Sequence, residues 1–135
     1  MQKNYEGYPY VKVSALVDII NIVSIQSGFS IGAFDFEKIQ GDIELDVGKQ
    51  DDFFEAIGRG VLNIDGLPLL KDSYGPIGTP TSDNIRTKLD DNTKKIIIII
   101  YNFAASNNIN IAIETSIYLL STYANLQNYN IEIID

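Results

Sequence analysis

The densest gathering of chemistry-bearing side chains in this sequence lies in residues 75–87. Gly75, Pro76, Gly78 and Pro80 punctuate the backbone, Thr79, Thr81, Ser82 and Thr87 supply hydroxyls, and Asp83 and Arg86 supply a charge pair. Hydroxyls both donate and accept hydrogen bonds. A carboxylate can take a proton from an attacking water. Asp83 and Arg86 can pair with each other or with a ligand. The glycines and prolines predict an irregular loop without helix or strand. Strand-like text flanks it at residues 67–71 and 95–101. A polar loop held between strands is a frequent place for a binding site, and the same residues would serve equally as an ordinary surface connection.

Composition removes many alternatives. The chain has 135 residues, 45% of them hydrophobic, and contains neither histidine nor cysteine. This size and composition suit one globular domain with a real core. Histidine-dependent triads, HExxH-type zinc sites, thiolate nucleophiles and disulfides are excluded. Proton transfer falls to Asp, Glu, Lys, Tyr, a hydroxyl or the substrate. A net charge of −8 argues against a broad phosphate-gripping surface and against DNA as a partner. Nothing matches GxxxxGK[ST] or GxGxxG, and Gly58-Arg59-Gly60 reads as turn punctuation. Asp51-Asp52 and Asp90-Asp91 read as solvated turn acids, so no metal and no cofactor is expected. Tyr5, Tyr8 and Tyr10 could stack on bases, but packing on the core or a partner suits them better. Residues 1–10 lack the pattern of a signal peptide, and the longest apolar run, residues 96–100, is too short to span a bilayer. The expectation is a cytoplasmic protein with no membrane contact.

The elements that would position the loop follow from periodicity. Residues 2–12 read as extended chain broken by Pro9. Ser14 is the expected N-cap of a helix over residues 15–26 with Leu16, Ile19, Ile20 and Val23 on one face, and Gly28 suits the position past its end. Asp18 and Asn21 fall on its solvated face. Residues 29–33 predict a short buried strand, residues 34–41 a turn closed by Gly41, and residues 42–47 a half-buried strand through Ile43, Leu45 and Val47. Residues 53–57 read as extended. Asp65-Gly66, between residues 61–64 and 67–71, predicts a β-hairpin. Residues 86–89 predict a short strand, and residues 95–101 a central strand buried on both faces. A helix over residues 110–126 would present Ile113, Ile117, Leu120 and Ala124, and residues 129–134 alternate as a closing strand. The sum is two helices and about seven strands: α+β, with one main sheet system in a layered, sandwich-like core.

Three pieces in order carry a family resemblance: Val17-Asp18-Ile19-Ile20-Asn21, then Gly32-Ala33-Phe34-Asp35, then Lys38-Ile39-Gln40-Gly41. Together with residues 75–87 and 92–100, the chain resembles the B3/B4 editing domain of the phenylalanyl-tRNA synthetase β subunit, over roughly residues 13–103. The resemblance implies a single domain over residues 1–135, with less chain ahead of the first piece than the family usually has. It implies hydrolysis of tyrosine wrongly attached to the phenylalanine tRNA, the pocket recognising the tyrosine hydroxyl with polar groups. Discrimination by a hydrogen bond to a hydroxyl is physically effective, because a phenyl ring would leave the polar site unpaired. Carried over by position, Gly32, Ala33, Asp35, Gly78, Thr79, Ser82 and Arg86 would bind substrate, and Asp83 and Thr81 would act on it.

Two further departures bear on chemistry. The bacterial pattern has a histidine before its AFD piece where this chain has Gly32, and a tyrosine-reading glutamate for which Asp83 is a stand-in. The expected partners are the aminoacylated 3′ end of tRNA or a free amino acid, with a second copy or another protein left open. The expected activity is an aminoacyl-tRNA deacylase working in trans. The oxyanion would be held by backbone N–H groups near residues 78–81, and Asp83 or the terminal ribose hydroxyl would assist the water. The alternative is a non-catalytic module that binds an amino acid, a small aromatic ligand or a protein.

Overall fold

The computed structural model describes residues 13–104 and 108–134. The extended chain expected over residues 2–12, with Tyr5, Tyr8, Tyr10 and Lys12, lies outside them. In chain order come α1 (Val13–Ser27), β1 (Ser30–Asp35), a 3-10 turn (Phe36–Lys38), β2 (Glu44–Val47), β3 (Glu55–Ala56), β4 (Gly60–Val61), β5 (Pro68–Asp72), β6 (Gly75–Thr79), β7 (Ser82–Asp83), a second 3-10 turn (Ile85–Thr87), β8 (Ile96–Tyr101) and α2 (Ile109–Tyr123). The class is α+β, and no helix among the described residues is long and apolar enough to cross a membrane.

Side-chain alternation along one antiparallel pair builds the layers. β1 pairs with β8 from Ser30 opposite Tyr101 to Asp35 opposite Ile96. Successive residues of a strand point to opposite faces. Ile31, Ala33, Ile96 and Ile98 therefore pack on one side against Leu16, Ile19 and Ile20 of α1 and Leu120 of α2. Phe34, Ile97, Ile99 and Tyr101 pack on the other against Leu70 of β5 and Ile77 of β6. Those two strands are the centre of a four-stranded sheet in the order β2-β5-β6-β7. The result is helices over a two-stranded sheet over a four-stranded sheet. A smaller pair, β3 and β4, packs Phe54 and Ala56 with Ile64 and Leu69. Among the described residues there are thus three sheets where one main system was expected.

Both helices form where periodicity placed them, with changes in detail. Leu16, Ile19, Ile20 and Val23 are all buried, and Gly28 ends α1 with φ +77°, a left-handed conformation glycine adopts freely. Ser14 does not cap it: Ser14 lies inside the helix, and the Val13 N–H donates to the Asp91 carboxylate at 3.0 Å. The buried stripe of α2 is Ala112, Ser116 and Leu120, one residue round from the expected Ile113 and Ile117. Small residues there let the two helices approach closely, and the Ser116 hydroxyl is satisfied by donating to the Ala112 carbonyl at 2.8 Å.

Four strand expectations are corrected. Residues 75–87 are not irregular: they contain β6, β7 and a 3-10 turn, and that turn also replaces the strand expected at residues 86–89. Asp65-Gly66 does turn the chain, but its flanks do not pair with each other. β4 pairs with β3, and β5 pairs with β2 and β6. β2 forms, yet Leu45 and Val47 stay 62% and 55% exposed, because the two-stranded sheet above is too narrow to cover this edge. Residues 129–134 form no strand, and Ile131, Ile133 and Ile134 are exposed. β8 contributes side chains to both cores as expected, but among the described residues it pairs with β1 alone.

Candidate functional site

The site begins with a two-residue hairpin. β6 and β7 pair through Gly78 opposite Asp83 and Thr79 opposite Ser82, leaving Pro80 and Thr81 at the bend. Pro80 cannot donate to a ladder, and Thr79 closes the turn with its side chain. Its Oγ1 accepts the N–H of Thr81 at 3.3 Å and of Ser82 at 3.1 Å. This geometry carries Asp83 back across Gly78 to the outer edge of β1, where its Oδ2 accepts the Ala33 N–H at 3.4 Å. Asp83 therefore links the two main sheets. Its backbone carbonyl also accepts the Ile57 N–H at 3.0 Å, which ties in the third.

Two glycines make room for it. A Cβ at Gly32 or at Gly78 would stand 2.9 Å from Phe34 Cζ, and 3.4 Å or 3.0 Å respectively from Asp83 Oδ1. Hydrogen in place of a methyl at both positions lets the buried Phe34 ring and the Asp83 carboxylate share one gap between the sheets. Gly78→Ala should therefore destabilise the fold by about 1–3 kcal/mol through overpacking. In Phe34→Leu, which shortens the ring away, the same substitution should cost less. A thermodynamic cycle of the two single variants and the double variant checks this, and strict additivity would refute the contact.

Beside Asp83 opens a cleft of about 270 Å³. One wall is Asn21 and Ser24 of α1 with Ser30 and Ile31 of β1, and the other is the hairpin from Thr79 to Asp83. Two of the lining residues, Ile31 and Pro80, are apolar, and the rest carry hydroxyl, amide or carboxyl groups. Burial raises the Asp83 carboxyl to about 6, and the Ala33 N–H opposes that only in part. Burial, with the nearby Asp83 charge adding to it, likewise pushes the Tyr101 phenol far above its ordinary value. The Tyr101 hydroxyl is buried with no hydrogen-bond partner among the described residues. At least partial deprotonation of Asp83 at neutral pH gives the cleft a carboxylate that no cation neutralises, since no ion pair among the described residues includes it.

Of the residues singled out in the sequence, Gly32, Ala33, Gly78, Thr79, Thr81, Ser82 and Asp83 come together here. Asp35 and Arg86 do not. Asp35, 5% exposed, caps the first 3-10 turn through the Glu37 N–H at 3.0 Å and accepts the Thr93 hydroxyl at 2.9 Å. Arg86 does not pair with Asp83. It grips Asp72 with two hydrogen bonds of 3.1 and 2.9 Å and lies over the Tyr74 ring. Both are framework residues. Thr79 is also engaged, its hydroxyl oxygen being spent on the hairpin amides. The Thr81 amide is thereby engaged in the hairpin and Pro80 has no N–H, so neither of these two positions offers a backbone donor to an oxyanion. Sequence reasoning missed Asn21, Ser24, Ser30, Ile31 and Tyr101. Asn21 was placed on a solvated helix face, and only the packing of α1 over β1 turns that face into a cleft wall. Among the described residues no group of three acidic side chains lies close enough to hold a metal ion.

A layer of helices over two sheets, with a carboxylate-floored cleft at their junction, defines an α+β domain with one candidate ligand site. Residues 1–125 match the B3/4 domain, and the chain belongs to that family. It is 28% identical over 101 residues to the phenylalanine–tRNA ligase beta subunit of Bartonella henselae, and 26% identical over 100 residues to that of Bartonella quintana. Each match covers 73% of this chain, and the chain spans 12% of the length of these relatives. The fold is similar to a solved N-terminal fragment of the phenylalanyl-tRNA synthetase β subunit from Pyrococcus horikoshii. The TM-score is 0.68 at 17% identity, covering 90% of this chain and 42% of that one.

Proposed function

We propose that this single B3/4 domain binds the aminoacyl end of tRNA and hydrolyses the aminoacyl ester in trans, with tyrosine-charged phenylalanine tRNA as the substrate its family nominates. The observation that carries the reading is the half-buried, unneutralised Asp83 carboxyl in a cleft walled by hydroxyls. A carboxyl held near 6 is better matched to accept a proton near neutral pH than an ordinary aspartate. The cleft is a little below the roughly 300–1,000 Å³ of sites for drug-sized ligands, which suits one aminoacyl group. In the step itself a water oxygen bonds to the ester carbonyl carbon while its proton passes to Asp83. The tetrahedral intermediate then collapses, the ribose oxygen leaves with a proton, and a free amino acid is released. The Thr81 hydroxyl and the Asn21 amide are the cleft donors available to the oxyanion.

The test is deacylation of tyrosine-charged and phenylalanine-charged phenylalanine tRNA by wild type and Asp83→Ala. Hydrolysis of the tyrosyl ester above buffer, reduced at least about a hundredfold in the variant, is the expected result. No rate above buffer with wild type would overturn the proposal.

A second reading has its own support. The amides of Thr81 and Ser82 are committed to Thr79 and are not available as a backbone oxyanion hole. Binding without turnover fits that geometry. Among the described residues no Lys or Arg lines the cleft: Lys38 pairs with Asp90, Lys71 with Asp46 and Arg86 with Asp72, while Arg59 meets the rim by donating to Ser82. A whole tRNA held by this domain alone would bind weakly and be lost with added salt. Ligand-induced stabilisation without hydrolysis would select the binding module.

A further inference from the structure

We infer that Asp83 receives the α-ammonium group of the bound amino-acid moiety, and that the side-chain hydroxyl of a tyrosyl substrate is not its partner. The inference rests on the proposal that the cleft takes an aminoacyl group, and it assigns which end of that group meets which wall.

Three observations converge. First, the Asp83 carboxylate is half-buried with one hydrogen bond, the 3.4 Å contact from Ala33, and no cation among the described residues pairs with it. A buried carboxylate is satisfied far better by a charged donor than by a neutral one, because a charge-assisted hydrogen bond also removes the uncompensated charge. An ammonium brings three N–H donors, and a phenol brings a single neutral donor. Second, the remaining groups around that floor suit the leftover ammonium protons. The hydroxyl oxygens of Ser30 and Thr81 can each accept, no cationic side chain lines the cleft, and the Arg59 guanidinium reaches only its rim, where it donates to Ser82 Oγ at 2.6 Å. Third, the lining is wrong for an aromatic ring aimed at Asp83. Ring-binding pockets are predominantly apolar and aromatic, whereas this cleft has Ile31 and Pro80 as its apolar residues and no aromatic wall. Phe34 closes the gap between Gly32 and Gly78, so a ring cannot pass between the glycines.

Anchoring the ammonium on Asp83 has a mechanistic consequence. The ester carbonyl is attached to the carbon that bears the ammonium, so it is brought beside Asp83, whose carboxyl the neighbouring cation lowers toward its ordinary value. The side chain is directed outward, past the hydroxyl rim.

The experiment uses the full chain and thermal denaturation with three probes: tyrosine methyl ester, phenylalanine methyl ester and N-acetyl-tyrosine methyl ester. All three lack a free carboxylate, and the acetyl group of the third removes the ammonium charge that the first carries. Both free-amine esters should raise Tm by a few degrees at saturating concentration, the N-acetyl ester should not, and Asp83→Asn should remove the shift. Stabilisation by both tyrosine esters but not by the phenylalanine ester would overturn the assignment and give Asp83 to the phenol. Stabilisation by none of the three would overturn it as well. The tRNA assay fails or succeeds separately. Ester-induced shifts without deacylation would keep the ammonium site and remove the hydrolysis, and deacylation without such shifts would do the reverse.

Discussion

Replacing Asp83 by asparagine should stabilise the folded domain by up to about 3 kcal/mol near pH 7.5 while abolishing function of the cleft. The folded carboxyl titrates near 6, against an ordinary value of 3.8. Each pH unit between the two values is worth about 1.4 kcal/mol. The sign is set by which state holds the proton. Between the two values the folded state keeps a proton that the unfolded state has released, so wild-type stability falls as pH rises through this interval. Above it the full cost of burying the charge is present, and below the ordinary value none of it is. Asparagine carries no charge to bury, so its advantage should be largest above about pH 6.5 and vanish below about pH 4. Urea unfolding of wild type and variant across that range measures the effect. An advantage that stays constant down to the acid end would mean that Asp83 is not buried as a charge. A residue that costs stability in the free domain is the behaviour expected of a group kept for a ligand, because binding a cation would repay the burial.

The parts of the fold that could be read ahead were those governed by local rules. The α1 stripe of Leu16, Ile19, Ile20 and Val23, its glycine stop and the isoleucine strand β8 all follow from periodicity and propensity within one segment. Partner choice was not legible. Asp65-Gly66 has strong hairpin chemistry, yet Ile64 and Leu69 are drawn into one cluster with Phe54, and burying that cluster decides which strands pair. Residues 129–134 have the alternation of a strand, but a strand also needs a neighbour, and the described chain brings none to them. In residues 75–87 the two prolines argued against strand. Pro76 is tolerated in β6 because the ladder shifts register beside it, between Leu70 and Lys71, and the Asn84 amide bonds to its carbonyl at 3.0 Å.

The same division explains the candidate site. The hairpin residues and the Gly32-Ala33 piece were visible as local punctuation, whereas the roles of the charged residues depended on distant partners. Asp35 is matched by Thr93, and Arg86 by Asp72 on the strand before the hairpin. A carboxylate or guanidinium that looks reactive in a sequence is functional only if folding leaves it without such a partner. Asp83 is the one acidic residue of the loop, and folding half-buries it and leaves it unneutralised. The Asn21 side of the cleft needed the helix packed over β1 before it existed at all.

Arg86→Ala should cost about 3–5 kcal/mol, although Arg86 makes no part of the cleft. Asp72 has no exposed side-chain surface, and its carboxylate is held by the Arg86 fork together with the N–H groups of Gln40 at 2.8 Å and Tyr74 at 2.9 Å. Burial pushes the Asp72 carboxyl up, but the Arg86 fork and the two N–H groups outweigh it and hold the carboxyl below the ordinary value. Removing the guanidinium leaves a buried charge with two neutral donors. The Gly75 and Pro76 carbonyls also lose the Nη2 contacts at 3.3 and 3.4 Å that pin the start of β6. The folded carboxyl of wild type is depressed, so its stabilising share is complete above the ordinary value of 3.8 and is lost as pH falls further. In Arg86→Ala burial would instead raise the Asp72 carboxyl, so the variant sheds its cost as that group protonates above 3.8, and the gap in unfolding free energy between wild type and variant should narrow from above about pH 4 downward and continue to narrow in acid. A gap that persists unchanged in acid would assign Arg86 to packing of its stem on Tyr74 instead. Asp72→Asn combined with Arg86→Met, which removes both charges, should recover much of the loss, because the cost lies in stranding one buried charge rather than in losing the pair.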